Sequence, residues 1–506
     1  MFAWGPFPGR AAPSLRAALL VLGALQDGKG SIEELETKLH SPDKWARAAA
    51  VEALALCRTP RAWKLVLEGL SDPKGEVADT AQLLFAAVDD PKTCELLGKQ
   101  PGLDAKDALV RARAAELLGR LALDPSPKWL VDALDDDDAE VRRMGAWSIE
   151  RLASAKRLDE RARRVLDGPL VSRARSERDP LARARALFAL AAFDVDAARP
   201  AVEDALRARD PLVRSAAVSL AERVLEPARI LAPLQMLAGD EALPVRTAAV
   251  DALGDLGTRS AVGVLVGRLA EESEERLILR CVARLQDLSG LKHRRDPRPW
   301  NDWFRSLPPD WTGAGLVHPE TADEPGGGTA ALAGLTVLSR RVAILVDLSG
   351  SIWNERPDGR TRKDVVDEKL REALEALPPE TRFNLVPYTE KPHPWQEKLV
   401  TAAPSRVRAA AAWFEDLHES GSGNLWDAML LALDDPEVDT LMVLFDGAPT
   451  GGTRHRLELF VPLFLERNAA RRVVVDLILV DASRRLESFW RGLAEGTGGR
   501  LTSVTL

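Results

Sequence analysis

At 506 residues the chain is about three times the usual single-domain length, so more than one folded unit is expected. Apolar residues make up 46% and charged ones 29%, while 35 Gly and 33 Pro are ordinary proportions, which excludes collagen-like, low-complexity and disordered classes. Lys plus Arg number 69 against 77 Asp plus Glu, a net charge of −8 that offers no global attraction to nucleic acid or anionic lipid.

No run of 18 apolar residues occurs, so no transmembrane helix is predicted. Near the N-terminus, Arg10 and Arg16 precede an apolar run from Ala17 to Leu25 that ends in Leu22-Gly23-Ala24, a poor cleavage site. The pattern half matches a secretory signal; the alternative is an amphipathic first helix capped by Ser14. Export or a place in the cell envelope is the expectation for residues 1–30, with the cytoplasm as the alternative. Cys57, Cys94 and Cys281 lack CxxC or Cys/His spacing and read as small core residues. No two of the six histidines stand at i, i+4, which removes HExxH chemistry.

From residue 31 the sequence repeats itself. Apolar residues at i, i+5 and i+8 share one helix face, and this frame starts at positions 46, 77, 110, 141, 182, 213, 245 and 277, a period of about 32 residues. Gln82 breaks the apolar frame in the second copy. Turns rich in Asp, Pro and Gly precede many of these helices, as at Ser71-Asp72-Pro73, Asp179-Pro180, Asp210-Pro211 and Gly239-Asp240, and a shorter helix precedes the turn. Each unit is therefore a helical hairpin, which buries its apolar face only by stacking on its neighbours. The Asp-containing turn followed by Val-Arg, as in Asp210-Pro211-Leu212-Val213-Arg214, resembles HEAT repeats over residues 31–290, with one insertion near Arg157 to Glu177. Such an α-solenoid implies a binding scaffold for a protein partner. The recurring Arg47, Arg111, Arg142, Arg183, Arg214 and Arg246 are expected to pair with acids of neighbouring turns and set stacking register; a basic stripe for a polyanion is the alternative.

After Gly290 the register stops. Trp300, Trp303, Phe304 and Trp311 form a dense aromatic stretch, read over 291–312 as a cap on the exposed end of the array. Residues 313–330, with Glu324-Pro325-Gly326-Gly327-Gly328, read as a linker.

Residues 331–506 change character. Nearly continuous apolar runs at Val342–Val346, Leu441–Phe445 and Val473–Val480 alternate with helical stretches, which predicts an α/β domain with a doubly wound, mostly parallel sheet and a site at the carboxyl ends of central strands. There stands Asp347-Leu348-Ser349-Gly350-Ser351, one carboxylate and two hydroxyls on alternate residues that converge on a hard cation if the loop bends back, as Gly350 permits. Together with Gly421-Ser422-Gly423-Asn424-Leu425-Trp426-Asp427 and Leu444-Phe445-Asp446-Gly447-Ala448-Pro449-Thr450, this is similar to the metal-ion-dependent adhesion site of von Willebrand factor A domains.

The resemblance implies metal-binding roles for Asp347, Ser349, Ser351 and Asp446, the last often acting through water. It places Gly423 where the family usually has Thr, so one hydroxyl is missing unless Ser422 or Asn424 supplies it. Two acids and two hydroxyls suit Mg²⁺ or Mn²⁺ with a position left for a partner's carboxylate. The implied protein is a non-enzymatic scaffold that binds a protein ligand through a divalent metal. Since A-type domains also serve chelatase and MoxR-like systems, an adaptor for an AAA+ ATPase is the alternative. Outside both stands a hydrolase using Ser349, which lacks a GxSxG elbow and any His placed by sequence to activate it.

Overall fold

The structure, a computed structural model, describes residues 32–313 and 330–505. The N-terminal signal and nearly all of the expected linker lie outside the described residues. The chain divides into two compact units, Met1–Ser148 and Ile149–Leu506.

In the first unit the helices Ile32–Leu39 and Lys44–Cys57, then Pro60–Glu68 and Gly75–Ala86, form hairpins, and Ala108–Leu118 and Pro127–Leu134 continue the pattern. Local chemistry starts them: the Asp43 and Asp107 side chains accept from the N–H groups of Trp45 and Leu109, and Thr59 caps a helix whose first residue is Pro60. Val51 and Leu54, then Val110, Ala115 and Leu118, are fully or nearly fully buried, as the repeat frame requires. Gln82, which breaks that frame, is also buried and donates to the Arg113 carbonyl at 3.2 Å, so the polar group costs little.

The arginine ladder is present. Arg47 makes a two-pronged contact to Asp72 at 2.6 and 3.0 Å, and Arg111 repeats it on Asp136 at 2.7 and 2.9 Å. The third guanidinium nitrogen of each donates to two carbonyls of its own preceding turn, Ser41 and Pro42 or Ala105 and Lys106. Each acid also accepts a backbone N–H of the turn it stands in, from Lys74 or Asp138. One Arg thus ties two successive turns at a fixed spacing, and the acidic run Asp135 to Asp138 is a turn of this kind.

In the second unit the hairpins are Glu160–Ser176 with Pro180–Phe193, Val195–Ala205 with Pro211–Val224, Pro227–Leu237 with Leu243–Leu256, and Arg259–Glu271 with Glu275–Ser289. The insertion read near 157–177 is the long first helix of its hairpin. Arg214 grips Asp240 at 2.9 and 2.8 Å, and Arg246 reaches Glu272 at 3.0 Å. Arg183 departs from the ladder and turns back to the Ala174 carbonyl at 3.2 Å. Beyond the last hairpin, the helix Pro297–Ser306 lays Phe304 against Gly263 and under the Arg259 guanidinium, while Trp300, fully buried, makes edge contacts with Trp303 and His293. The aromatic residues therefore cover the helix Arg259–Glu271.

A small antiparallel pair, β1 (Ala331–Leu332) and β2 (Leu335–Thr336), leads into a six-stranded sheet. Its strands are β3 (Arg341–Asp347), β4 (Arg382–Tyr388), β5 (Val400–Thr401), β6 (Thr440–Phe445), β7 (Val474–Val480) and β8 (Leu501–Val504), in the order β5-β4-β3-β6-β7-β8. Only β5 runs antiparallel. Val342, Ile344 and Val346 point to one face, where they pack with Phe383, Leu385, Leu370 and Phe414 in a single apolar cluster. The alternate residues, Ala343, Leu345 and Asp347, face the other way.

The sheet is held against the helical hairpins of the same unit by ion pairs. Arg472 donates to Asp251 at 2.5 Å and to the Ser219 hydroxyl at 2.7 Å, and Asp251 also takes Arg280 at 2.6 and 2.7 Å. Arg185 binds the side chain and carbonyl of Glu466 at 2.9 and 2.7 Å, Arg341 meets Glu274 at 2.8 Å, and Arg276 pairs with Asp476. Arg341 opens β3, and Arg472 stands two residues before β7. The contact is thus made near the amino ends of these strands. Their carboxyl ends lie about 20 Å further along at roughly 3.3 Å per residue.

Candidate functional site

The chain leaves β3 for β4 on one side of the sheet and later enters β6 on the other, so the carboxyl ends of β3 and β6 flank a topological switch point. Asp347 is the last residue of β3 and Asp446 the first beyond β6. After Asp347 the chain bends into a short 3-10 turn, Gly350–Trp353. The bend lets the Ser349 N–H donate to Asp347 Oδ1 at 2.7 Å and brings the Ser349 and Ser351 hydroxyls to 3.4 Å. Ser351 Oγ then donates to Asp446 Oδ2 at 2.8 Å, while Asp446 Oδ1 accepts from the Ala448 N–H at 3.1 Å. Asp347, Ser349, Ser351 and Asp446 are therefore gathered at one place.

Asp347 is 6% exposed and Ser349 7%. Burial, with the nearby charge of Asp446 adding to it, pushes the Asp347 carboxyl up to about 7 despite the N–H bond from Ser349. Two acids with hydroxyls beside them form a donor set that fits a hard divalent cation. Among the described residues no three His, Cys, Asp or Glu side chains cluster as metal ligands, so the two hydroxyls are needed to complete a shell here.

The loop 421–424 closes over these residues. Gly350 donates to the Gly421 carbonyl at 3.3 Å and Asn424 to the Thr389 carbonyl at 2.9 Å. Gly423 lies against the acid: a Cβ there would stand 3.0 Å from Asp347 Oδ2, so the position that lacks a side chain is the one aimed at the carboxylate. Ser422, one of the two residues that could supply the missing hydroxyl, has its Cβ packed against Gly451. Asn424 is spent on capping the helix Leu425–Asp434, accepting from the Asp427 N–H at 3.2 Å and donating to the Glu390 carbonyl and to Asp427 Oδ2. Asp427 in turn accepts from the Thr453 hydroxyl at 2.6 Å, an orienting role.

Sequence reading quoted Thr450 within a motif and gave it no role. It makes a two-bond clasp with Gly423, accepting from its N–H at 2.7 Å and donating its own N–H to the Gly423 carbonyl at 3.1 Å. Thr450 therefore locks the 421–424 loop to the segment after Asp446. Trp426 belongs to the core against Phe460, while Trp353 packs edge-on to His418 near the loop. Ser349 Oγ faces another hydroxyl. His393 is engaged with Thr389 and Glu419, and His418 lies against Trp353, so neither contact joins a base to Ser349.

Residues 340–499 match the family model of the von Willebrand factor type A domain. The chain is similar to human von Willebrand factor A domain-containing protein 3A, 30% identical over 167 residues that cover 33% of this chain and 13% of that protein. It is also 30% identical over 131 residues to human inter-alpha-trypsin inhibitor heavy chain H4, covering 24% of this chain and 13% of the relative. The chain thus spans about an eighth of the length of these curated relatives. Among solved structures, importin beta aligns at 14% identity and a TM-score of 0.36, covering 53% of this chain and 42% of that one. The sheet domain is a von Willebrand factor A domain, and the helical region before it is a solenoid-like array of hairpins. Among the described residues no helix is long and apolar enough to cross a membrane.

Proposed function

We propose that this chain, a helical-hairpin array carrying a von Willebrand factor A domain, is a non-enzymatic scaffold that binds a protein ligand through a divalent cation, Mg²⁺ or Mn²⁺. The carrying observation is the run of contacts from Asp347 through Ser349 and Ser351 to Asp446, with the Asp347 carboxyl buried and held near 7. A divalent cation would offset the burial, and the nearby charge of Asp446, that keep a proton on Asp347. Asp347, Ser349, Ser351 and Asp446 would hold it. Bound, the ion supplies a Lewis-acidic position for a carboxylate of the partner.

The chain's own residues do the rest. The Ser349 N–H orients Asp347, the Ala448 N–H orients Asp446, and the Thr450 clasp keeps Gly423 beside the site without adding a ligand. With one hydroxyl fewer than the family pattern, the site leaves more of the shell to water and to the partner. The array supports the reading as a mount, since it grips the domain near the amino ends of β3 and β7 and leaves the carboxyl ends for binding.

The test is calorimetric titration of the full chain with Mg²⁺ and Mn²⁺, paired with affinity capture with and without chelator. Ion binding and chelator-sensitive capture, both lost in Asp347→Ala, are expected. Capture indifferent to chelator and to that substitution defeats the metal reading. An AAA+ ATPase in the captured material would assign the partner to that class.

A further inference from the structure

Tyr388 is the one tyrosine of the chain. It ends β4 and is the register partner of Asp347 at the end of β3. Partners in a parallel pair face the same side of the sheet, so the phenol and the carboxylate share a face one strand apart, at about 4.8 Å between strands. Tyr388 is 0% exposed, and its hydroxyl has no hydrogen-bond partner among the described residues.

A buried hydroxyl without a partner is costly, and phenylalanine would fill the place without that cost. Burial, with the charges of Asp347 and Asp446 adding to it, pushes Tyr388 ionisation well above its ordinary range, so the group remains an O–H donor. Those two acids are the ones gathered by Ser349 and Ser351. The 421–424 loop is tied to the residue after Tyr388 through the Asn424 N–H and Thr389 carbonyl, and Gly423 in that loop brings no hydroxyl to Asp347.

We propose that Tyr388 is a positioning residue of the ion site, its hydroxyl donating to an oxygen of the shell that forms when Asp347, Ser349, Ser351 and Asp446 hold a divalent cation. The inference rests on the metal reading above and adds to it a donor from the sheet. In the ion-free chain the hydroxyl is a stability cost. With the ion bound it gains an acceptor, because the shell is then filled with oriented oxygens.

Because the chain has a single tyrosine, growth on 3-fluorotyrosine gives the full-length protein one fluorine label, at position 388. Titration with Mg²⁺ is expected to move that resonance and saturate at the dissociation constant found by calorimetry. Asp446→Asn, with the site broken and Tyr388 intact, should leave it still. Tyr388→Phe is expected to weaken Mg²⁺ binding about three- to tenfold, the worth of one hydrogen bond, without lowering the melting temperature of the ion-free protein. A resonance unmoved while calorimetry records Mg²⁺ binding, or wild-type affinity in Tyr388→Phe, overturns the role of Tyr388 and leaves the metal reading standing. No Mg²⁺ binding to the wild type overturns both.

Discussion

The Asp347 carboxyl, pushed up to about 7 chiefly by burial, keeps in the folded chain a proton that the unfolded chain releases near its ordinary value of 3.8. The folded state therefore binds more protons across that window, so ion-free stability falls as pH rises from about 4 through 7. Thermal melts at pH 5 and pH 8 should show the fall, and Asp347→Asn should lessen it. Ion binding must displace the same proton. Mg²⁺ or Mn²⁺ affinity is therefore expected to drop about tenfold for each pH unit below 7 and to level off above it, read by titration calorimetry at pH 6, 7 and 8. Asp347, Ser349 and Ser351 were legible because alternate residues on one bent loop are a local pattern, whereas Asp446 came from the resemblance to the A-domain motif. The Thr450 clasp on Gly423 was not legible, since which backbone groups a loop hydroxyl meets depends on what the loop packs against.

In the array, the second helices and their turns followed from spacing alone. Arg214 illustrates why the ladder was readable: a residue that recurs at one place after a turn meets the same chemistry in most copies, Arg183 excepted. Arg214→Ala removes two bonds to Asp240 and the ties to the Ala208 and Arg209 carbonyls, and leaves a mostly buried acid. A loss of about 2–4 kcal/mol is expected, with increased hydrogen exchange at the turns around 208–210 and 238–242; Arg214→Lys should restore only part, lacking the planar fork. The helix Glu160–Ser176, which holds Pro169, was read as an insertion because the repeat spacing widens between positions 141 and 182. Its stripe of buried Ala162, Leu166, Leu170 and Ala174 continues at i, i+4 across the proline, so packing outweighs the lost backbone bond.

The contact between the hairpins of the second unit and the sheet is where burial and charge depend most on each other. Burial alone would raise the Asp251 carboxyl, but Arg280 and Arg472 hold it below its ordinary range, with Arg284 adding to them. Asp251→Ala leaves these guanidinium groups facing one another without their shared anion. It should lower stability by about 3–5 kcal/mol, the scale of breaking a buried pair, and scanning calorimetry should show the sheet domain melting apart from the hairpins. Part of the hairpin surface in this unit is therefore taken up by the sheet domain itself.

Periodicity, turn chemistry and the two loop motifs were enough to write down the hairpin array, the parallel α/β domain and the four oxygen-bearing side chains at the end of β3 and beyond β6. Each of these is encoded within a few residues, where backbone geometry translates spacing into direction. The pairing of Arg472 with Asp251, 221 residues apart, the clasp of Thr450 on Gly423 and the place of Tyr388 beside Asp347 were decided only by folding. Such contacts depend on which distant surfaces are brought together and desolvated, and spacing along a chain carries no record of that.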